Sequence, residues 1–248
     1  PAKVAYSGEG KIVELTPESA KLLTRRVRLQ SECLHLDSLR TLSPGVAFVL
    51  ATSDVSHIRF KSLADLSRDT VREFAGYDGR LELGGFSFLS NATVAVVEAL
   101  SCWELSLNSL TTLSEAAAQS LARCSAKYLY LNGLTELTDE VARALADYEG
   151  ERLSLNGLPT LSEAAAHALA KCKVKYLYLN GLTVLTDEVA RALADYEGEG
   201  LRLDGFIAGI GGQVPLTVET ARLAVRSYQS FMDSRSLPLL PSITRLES

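Results

Sequence analysis

Leucines recur along this chain in a fixed frame. The stretch from Ala126 to Gly150 reads AKYLYLNGLTELTDEVARALADYEG, and it returns forty-eight residues later as Val174 to Gly198, differing only at Ala126/Val174 and Glu136/Val184. Between the copies lies a related unit, Leu153 to Cys172, itself an echo of Leu105 to Cys124, so the underlying period is about 24 residues. Aligning each unit on its Leu-x-Leu core gives Leu34, Ile58, Leu81, Leu105, Leu129, Leu153, Leu177 and Leu201, spaced 24, 23, 24, 24, 24, 24 and 24 apart. A unit this short cannot bury its own apolar face. Repetition at such a period therefore predicts a solenoid whose units stack on their neighbours.

Each unit changes its hydrophobic period once. Short alternation, as in Tyr128-Leu129-Tyr130-Leu131, predicts a strand with leucines on one face. Spacing such as Leu137, Val141, Ala144 and Leu145 predicts a helix. Thr16, Ser43, Ser67, Ser90, Ser114, Thr138, Ser162, Thr186 and Thr217 stand where a helix N-cap belongs, and acidic residues follow at Glu18, Asp69, Glu115, Asp139, Glu163 and Asp187. Gly79, Gly150 and Gly198 fall near the helix ends, where a left-handed residue is expected. The predicted layout is a single domain with an N-terminal helical cap over about 1–32 and repeats over about 33–203. A loop and capping helix follow over about 204–232, then a tail over 233–248.

The recurrent Leu-x-Leu-x-x-Leu-x-x-Leu-Ser/Thr frame with its Ala-rich half, as in Leu177 to Ala194, resembles bacterial leucine-rich repeat proteins. The half from Leu137 to Ala146 is also similar to the cysteine-containing repeats of F-box-type proteins. The resemblance covers about residues 15–232. It implies an α/β solenoid: a leucine-rich repeat horseshoe with eight parallel strands on the concave face, helices on the convex face and helical caps at both ends. In that family an Asn three residues after the second strand Leu ties neighbouring coils together. Here that place holds Leu39, Leu63, Phe86, Leu110, Leu134, Leu158, Leu182 and Phe206. The turn is therefore expected to rely on packing, with Asn132 and Asn180 pointing outward by strand parity.

Composition narrows the function classes. With 25 basic against 30 acidic residues and a net charge of −5, there is no cationic excess to track a phosphate backbone, so nucleic acid is not expected as a partner. No apolar run reaches the roughly 18–20 residues of a membrane span, and the first residues, PAKVAYSGEGK, lack the apolar core of a signal peptide. Cys124 and Cys172 hold one repeat position two units apart, about 10 Å at the ~4.8 Å strand spacing, too far to bridge. Free thiols at Cys33, Cys102, Cys124 and Cys172 point toward a reducing, cytoplasmic setting. The chain is expected to be a monomer with no cofactor.

Strand parity places three columns of side chains on one sheet face. The first is Cys33, His57, Arg80, Glu104, Tyr128, Arg152, Tyr176 and Gly200, beside His35, Arg59, Glu82, Ser106, Tyr130, Ser154, Tyr178 and Arg202. The third runs Asp37, Lys61, Gly84, Asn108, Asn132, Asn156, Asn180 and Asp204. Tyr128, Tyr130, Arg152, Tyr176 and Tyr178, with an edge of Asn132, Asn156 and Asn180, form the candidate partner-binding patch, because Tyr and Arg bury large area with few torsions and keep a polar tip. This predicts a non-catalytic scaffold for a protein partner; a structural spacer is the alternative. A second alternative is a thiol or metal site at Cys33, His35 and His57, although Arg59 and Lys61 make a poor shell for a cation. His167 is expected on an exposed helix face, Gly209 to Gly212 to be a loop insertion without a phosphate-binding frame, and Asn91-Ala92-Thr93 to be a chance glycosylation match.

Overall fold

The computed structural model of the chain describes residues 4–6, 12–28, 33–63, 66–86, 98, 100, 102–205, 219–220 and 222–224. The insertion at 207–215, the Asn91 triplet, the helix starts at Ser90 and Thr217, and the tail at 233–248 lie outside these residues. Eight strands form one sheet in chain order: β3 (Cys33–His35), β4 (His57–Phe60), β5 (Arg80–Leu83), β6 (Glu104–Ser106), β7 (Tyr128–Tyr130), β8 (Arg152–Ser154), β9 (Tyr176–Tyr178) and β10 (Gly200–Arg202). Every pairing is parallel. The register aligns equivalent positions, so Leu129 faces Leu153 and Leu153 faces Leu177.

Helices alternate with the strands: α1 (Pro17–Arg28), α2 (Pro44–Ala51), α3 (Arg68–Phe74), α4 (Glu115–Ala122), α5 (Asp139–Ala146), α6 (Glu163–Ala170) and α7 (Asp187–Ala194). Their starts are set by the residues expected. Ser43, Ser67, Ser114, Thr138, Ser162 and Thr186 have extended backbone and accept from the N–H three residues on, each cap contributing about 1 kcal/mol. Thr16 and Ser19 exchange the same kind of bond, Thr16 N to Ser19 Oγ at 2.9 Å and Ser19 N to Thr16 Oγ1 at 3.3 Å. Alanines at the packed positions, such as Ala142, Ala166 and Ala190, are buried and let neighbouring helices approach closely. With Leu129, Leu131, Leu134 and Leu145 they form one continuous core between sheet and helices. Each fully buried leucine stabilises by about 1.5–3 kcal/mol.

The N-terminal segment contains more than the helix expected. β1 (Val4–Tyr6) and β2 (Ile12–Leu15) form an antiparallel pair before α1, separate from the main sheet. These strands are too short and too irregular in polarity to register as a strand in the sequence.

Two further expectations are corrected. Gly79, Gly150 and Gly198 do not take a left-handed backbone; each makes room for a buried tyrosine. A Cβ on Gly150 would lie 2.2 Å from the Tyr148 hydroxyl, and one on Gly198 the same distance from that of Tyr196. The helix ends instead turn at Asp147 and Asp195, both in right-handed conformation. Tyr148 Oη donates to Ala126 O and Tyr196 Oη to Val174 O, both at 2.7 Å, which ties each coil to the one before it. Cys124 and Cys172 occupy the same position in the intervening units, where Ala126 and Val174 replace the glycine. Bulky-plus-glycine thus alternates with small-plus-aliphatic, and this volume exchange explains why the sequence repeats more faithfully over forty-eight residues than over half that span.

The asparagines also behave differently from the parity argument. Asn108 Oδ1 accepts from Asn132 N at 2.9 Å, Asn132 Oδ1 from Asn156 N at 3.0 Å, Asn156 Oδ1 from Asn180 N at 2.9 Å and Asn180 Oδ1 from Asp204 N at 3.0 Å. Strand β7 ends at Tyr130, so Asn132 stands in the turn beyond it, where alternation no longer decides orientation. These turns are stitched by hydrogen bonds as well as packed on Leu110, Leu134, Leu158 and Leu182, all fully buried. The glycine that follows is needed for the close approach: a Cβ on Gly157 would sit 2.1 Å from Asn132 O.

Candidate functional site

The core-distant face of the sheet carries the columns in the order expected, with Cys33 opposite His57, Tyr128 opposite Arg152, Arg152 opposite Tyr176, and Tyr130, Ser154 and Tyr178 in one row. At the duplicated end the side chains meet around Arg152. Its guanidinium carbon lies 4.5 Å from the Tyr128 ring centroid and 5.0 Å from that of Tyr178, and Nη1 donates to Tyr130 Oη at 3.0 Å. Stacking on two rings holds the guanidinium plane in place. Ser154, expected on the open face, is only 1% exposed, set between Tyr130 and Tyr178 in register with Arg152 joining them above. Burial pushes the Tyr130 phenol above its ordinary range, and the Arg152 hydrogen bond opposes that rise only in part. It therefore remains a neutral hydroxyl at physiological pH.

Tyr176 belongs to the patch but turns to its edge, donating to Glu199 Oε2 at 2.8 Å, and this bond raises its phenol as well. Asn132, Asn156 and Asn180 are half-buried, with their carbonyl oxygens committed to the backbone of the next coil. Asn132 Oδ1 also accepts from Ser154 Oγ at 2.7 Å, and Asn156 Nδ2 donates to Ser154 Oγ at 3.0 Å. The asparagine edge is therefore first a structural ladder that underlies the patch.

Sequence reasoning missed Trp103. It precedes β6, and its ring meets Tyr128 at 4.8 Å between centroids while Arg80 stands over it at 5.4 Å. The aromatic surface thus extends one unit toward the N-terminus. The available signal was the residue itself, the single tryptophan of the chain, at a position held by Lys127, Glu151, Lys175 and Glu199 in later units.

At the other end of the sheet the side chains pair with each other. Arg59 donates through Nε to Asp37 Oδ1 at 2.9 Å and through Nη2 to Asp37 Oδ2, and it also approaches His35 Nδ1 at 3.2 Å. Lys61 reaches Asp37 at 3.7 Å, His57 reaches Glu82 at 3.6 Å and Arg80 reaches Glu104 at 3.3 Å. The Arg59 guanidinium holds the Asp37 carboxyl below its ordinary range. Cys33 and His57 are adjacent in register and line a groove of about 830 Å³ with Asp54, Asp78, Arg80 and Trp103. Burial raises the Cys33 thiol, which works against the thiolate that a nucleophile or metal ligand needs. Among the described residues no three His, Cys, Asp or Glu side chains gather in a metal-holding group. His167 is exposed on α6 and faces Glu163 one turn earlier at 3.8 Å. None of the four cysteines forms a disulfide, and Cys102, Cys124 and Cys172 are buried. No helix among the described residues is long and apolar enough to cross a membrane.

No family model matches the chain, and no curated protein matches it.

Proposed function

We propose that the chain is a leucine-rich repeat horseshoe acting as a non-catalytic recognition scaffold, which binds a protein partner through its sheet face. Curvature follows from spacing: strands repeat at ~4.8 Å while packed helices require ~8–10 Å, so a stack with helices on one side bends with its sheet inward. The observation that carries the reading is the cluster of Tyr128, Tyr130 and Tyr178 around one arginine, Arg152, with Trp103 beside it. Such side chains supply most of the energy of a typical interface, and here their torsions are already restrained by one another, which lowers the entropy lost on binding. A thiol or metal site at Cys33, His35 and His57 has less support, because the Cys33 thiol is raised and His35 and His57 are engaged by Arg59 and Glu82.

The test is capture of partners from cell lysate by the unaltered chain, followed by affinity measurement on variants. Changing Tyr130→Ala together with Tyr178→Ala is expected to weaken binding by about 2 kcal/mol or more while the thermal melt stays nearly unchanged. Arg143→Ala with Arg191→Ala, on the outer helix face, is expected to leave binding intact. If the helix arginines matter and the tyrosines do not, the binding face is the opposite one.

A further inference from the structure

The cations on this sheet face are not equivalent. Arg59 and Lys61 face Asp37, and Arg80 faces Glu104. Arg152 instead meets two aromatic rings and the Tyr130 hydroxyl. Among the described residues no carboxylate stands within ion-pair distance of it, although it is half-buried. A charge taken partly out of water in this way costs free energy that the ring faces offset only in part. The guanidinium is also incompletely satisfied. Nε is buried with no hydrogen-bond partner and Nη1 is held by Tyr130, while Nη2 makes no hydrogen bond among the described residues and is not fully buried.

We propose that Arg152 is the anchor of this face for an acidic side chain, Asp or Glu, presented by a protein partner. The proposal rests on the reading of the sheet face as a recognition surface and names the chemistry that surface accepts. An incoming carboxylate meets a guanidinium whose plane is fixed by stacking, so the donor edge is oriented before contact and little side-chain entropy is lost. Partial burial lowers the local dielectric and strengthens the attraction relative to the rim pairs at Arg59 and Arg80. The Tyr128 and Trp103 rings, in contact at 4.8 Å, offer apolar wall to whatever residue flanks the acid.

The surrounding charge favours a monoanion over a phosphate. Glu104 borders the patch on one side, held by Arg80, and Glu199 borders it on the other, holding Tyr176. Both repel a dianion about twice as strongly as a carboxylate, and the one guanidinium held by the tyrosine cluster falls short of the several cations that phosphate or nucleic-acid recognition recruits.

The experiment uses random peptides displayed on phage, selected on the full unaltered chain. Selected peptides are expected to share an Asp or Glu beside an aromatic or aliphatic residue. Replacing that acid by its amide in a synthetic peptide should weaken binding about tenfold or more, as should Arg152→Gln in the protein, and the two changes together should cost little beyond either one. The peptide change leaves the protein untouched, so the result stands even if Arg152→Gln folds poorly. Arg152→Lys, which keeps the charge but loses the planar fork, should recover only part of the binding. Peptides lost on Tyr130→Ala with Tyr178→Ala but indifferent to their own acid and to Arg152→Gln would overturn this proposal and leave the recognition face standing. Peptides lost only on Arg143→Ala with Arg191→Ala would overturn both. A phosphoserine peptide bound more tightly than its glutamate counterpart, or no enrichment at all, would also overturn the carboxylate assignment.

Discussion

The two ends of the sheet share one backbone register and use their open face in opposite ways. From Cys33 to Leu83 the columns close on themselves, with Arg59 on Asp37 and His57 on Glu82. From Tyr128 to Tyr178 the same columns hold aromatic rings around Arg152, and the asparagine ladder runs beneath them. The duplicated end also spaces its units uniformly at 24 residues, whereas the other contains the one interval of 23. Register and core fix where a face position lies; they leave free what occupies it. In one region that freedom produces a saturated polar surface, and in the other a preorganised aromatic patch over a hydrogen-bonded asparagine ladder.

The largest expected effect comes from the glycine that lets the ladder close. A Cβ at Gly157 would lie 2.1 Å from Asn132 O and 2.6 Å from Leu134 O, both backbone atoms that cannot rotate away. Gly157→Ala must separate adjacent coils and break the ladder, so a loss of about 3 kcal/mol or more is expected from urea unfolding. Gly76→Ala, with nothing within 4 Å of the added carbon, is expected to be near neutral. Equal effects at the two sites would mean that the ladder does not depend on the close approach of coils at Gly157.

Next in size is the buried tyrosine. Tyr148→Phe removes the donor to Ala126 O at 2.7 Å and leaves a buried carbonyl unpaired, at a cost of about 1–3 kcal/mol. Thermal melts of this variant and of Tyr196→Phe should fall together, since Val174 O plays the same part there. A neutral result would show that volume, and not the hydrogen bond, selects tyrosine.

The buried thiols predict an alkaline response. Burial pushes Cys124 up to about 11 and Cys102 and Cys172 up to about 12. An ordinary thiol titrates near about 8.5, so between these limits the unfolded chain releases protons that the folded chain retains. Stability is therefore full below about pH 8.5 and declines as pH rises toward 11–12, by at most about 1.4 kcal/mol per pH unit for each thiol. Melts between pH 8.5 and 10, compared with Cys124→Ala plus Cys172→Ala, check this; the variant should show the shallower decline. A steeper decline in the variant would assign the response to other groups.

Much of the frame was legible in the chain. The strand centres, the parallel order implied by one helix per unit, and the N-caps from Ser43 to Thr186 all follow from local periodicity and side-chain chemistry, which act within a few residues. What escaped depends on contact between coils. Asn132 was read by strand parity because nothing local marks the strand's end at Tyr130. Gly150 was read as a helix terminator because the Tyr148 ring that needs its space becomes visible only in three dimensions. The register of the columns within the strands was legible from parity; the Arg152 cage was not, since it requires the Tyr128 and Tyr130 rings of β7 and the Tyr178 ring of β9 to converge on Arg152 from the strands on either side of it. Trp103 was overlooked because it lies one residue ahead of its strand, outside the alternating columns.

The smallest expected effect tests the saturated end. Asp37 sits with about a third of its side chain exposed and its carboxyl held below the ordinary range by Arg59, so the pair resembles a surface ion pair more than a buried one. A carboxyl with a depressed folded-state value adds stability above the unfolded value of about 3.9 and loses it as pH falls through the folded value. Solvent screening keeps that contribution small, and Asp37→Asn should lower stability at pH 7 by less than about 1 kcal/mol. The gap between variant and unaltered chain should close as pH falls through the folded-state value of Asp37, below which both side chains are neutral. It should also narrow at 1 M salt, where the screening length falls to about 3 Å. Because Arg59 also leans on His35, the asparagine leaves the guanidinium one partner and keeps the loss modest. A loss of several kcal/mol that persists in high salt would show that Asp37 anchors the first coils as the asparagine ladder anchors the later ones. In that case the two ends of the sheet would differ in chemistry alone and not in how much structure rests on their face.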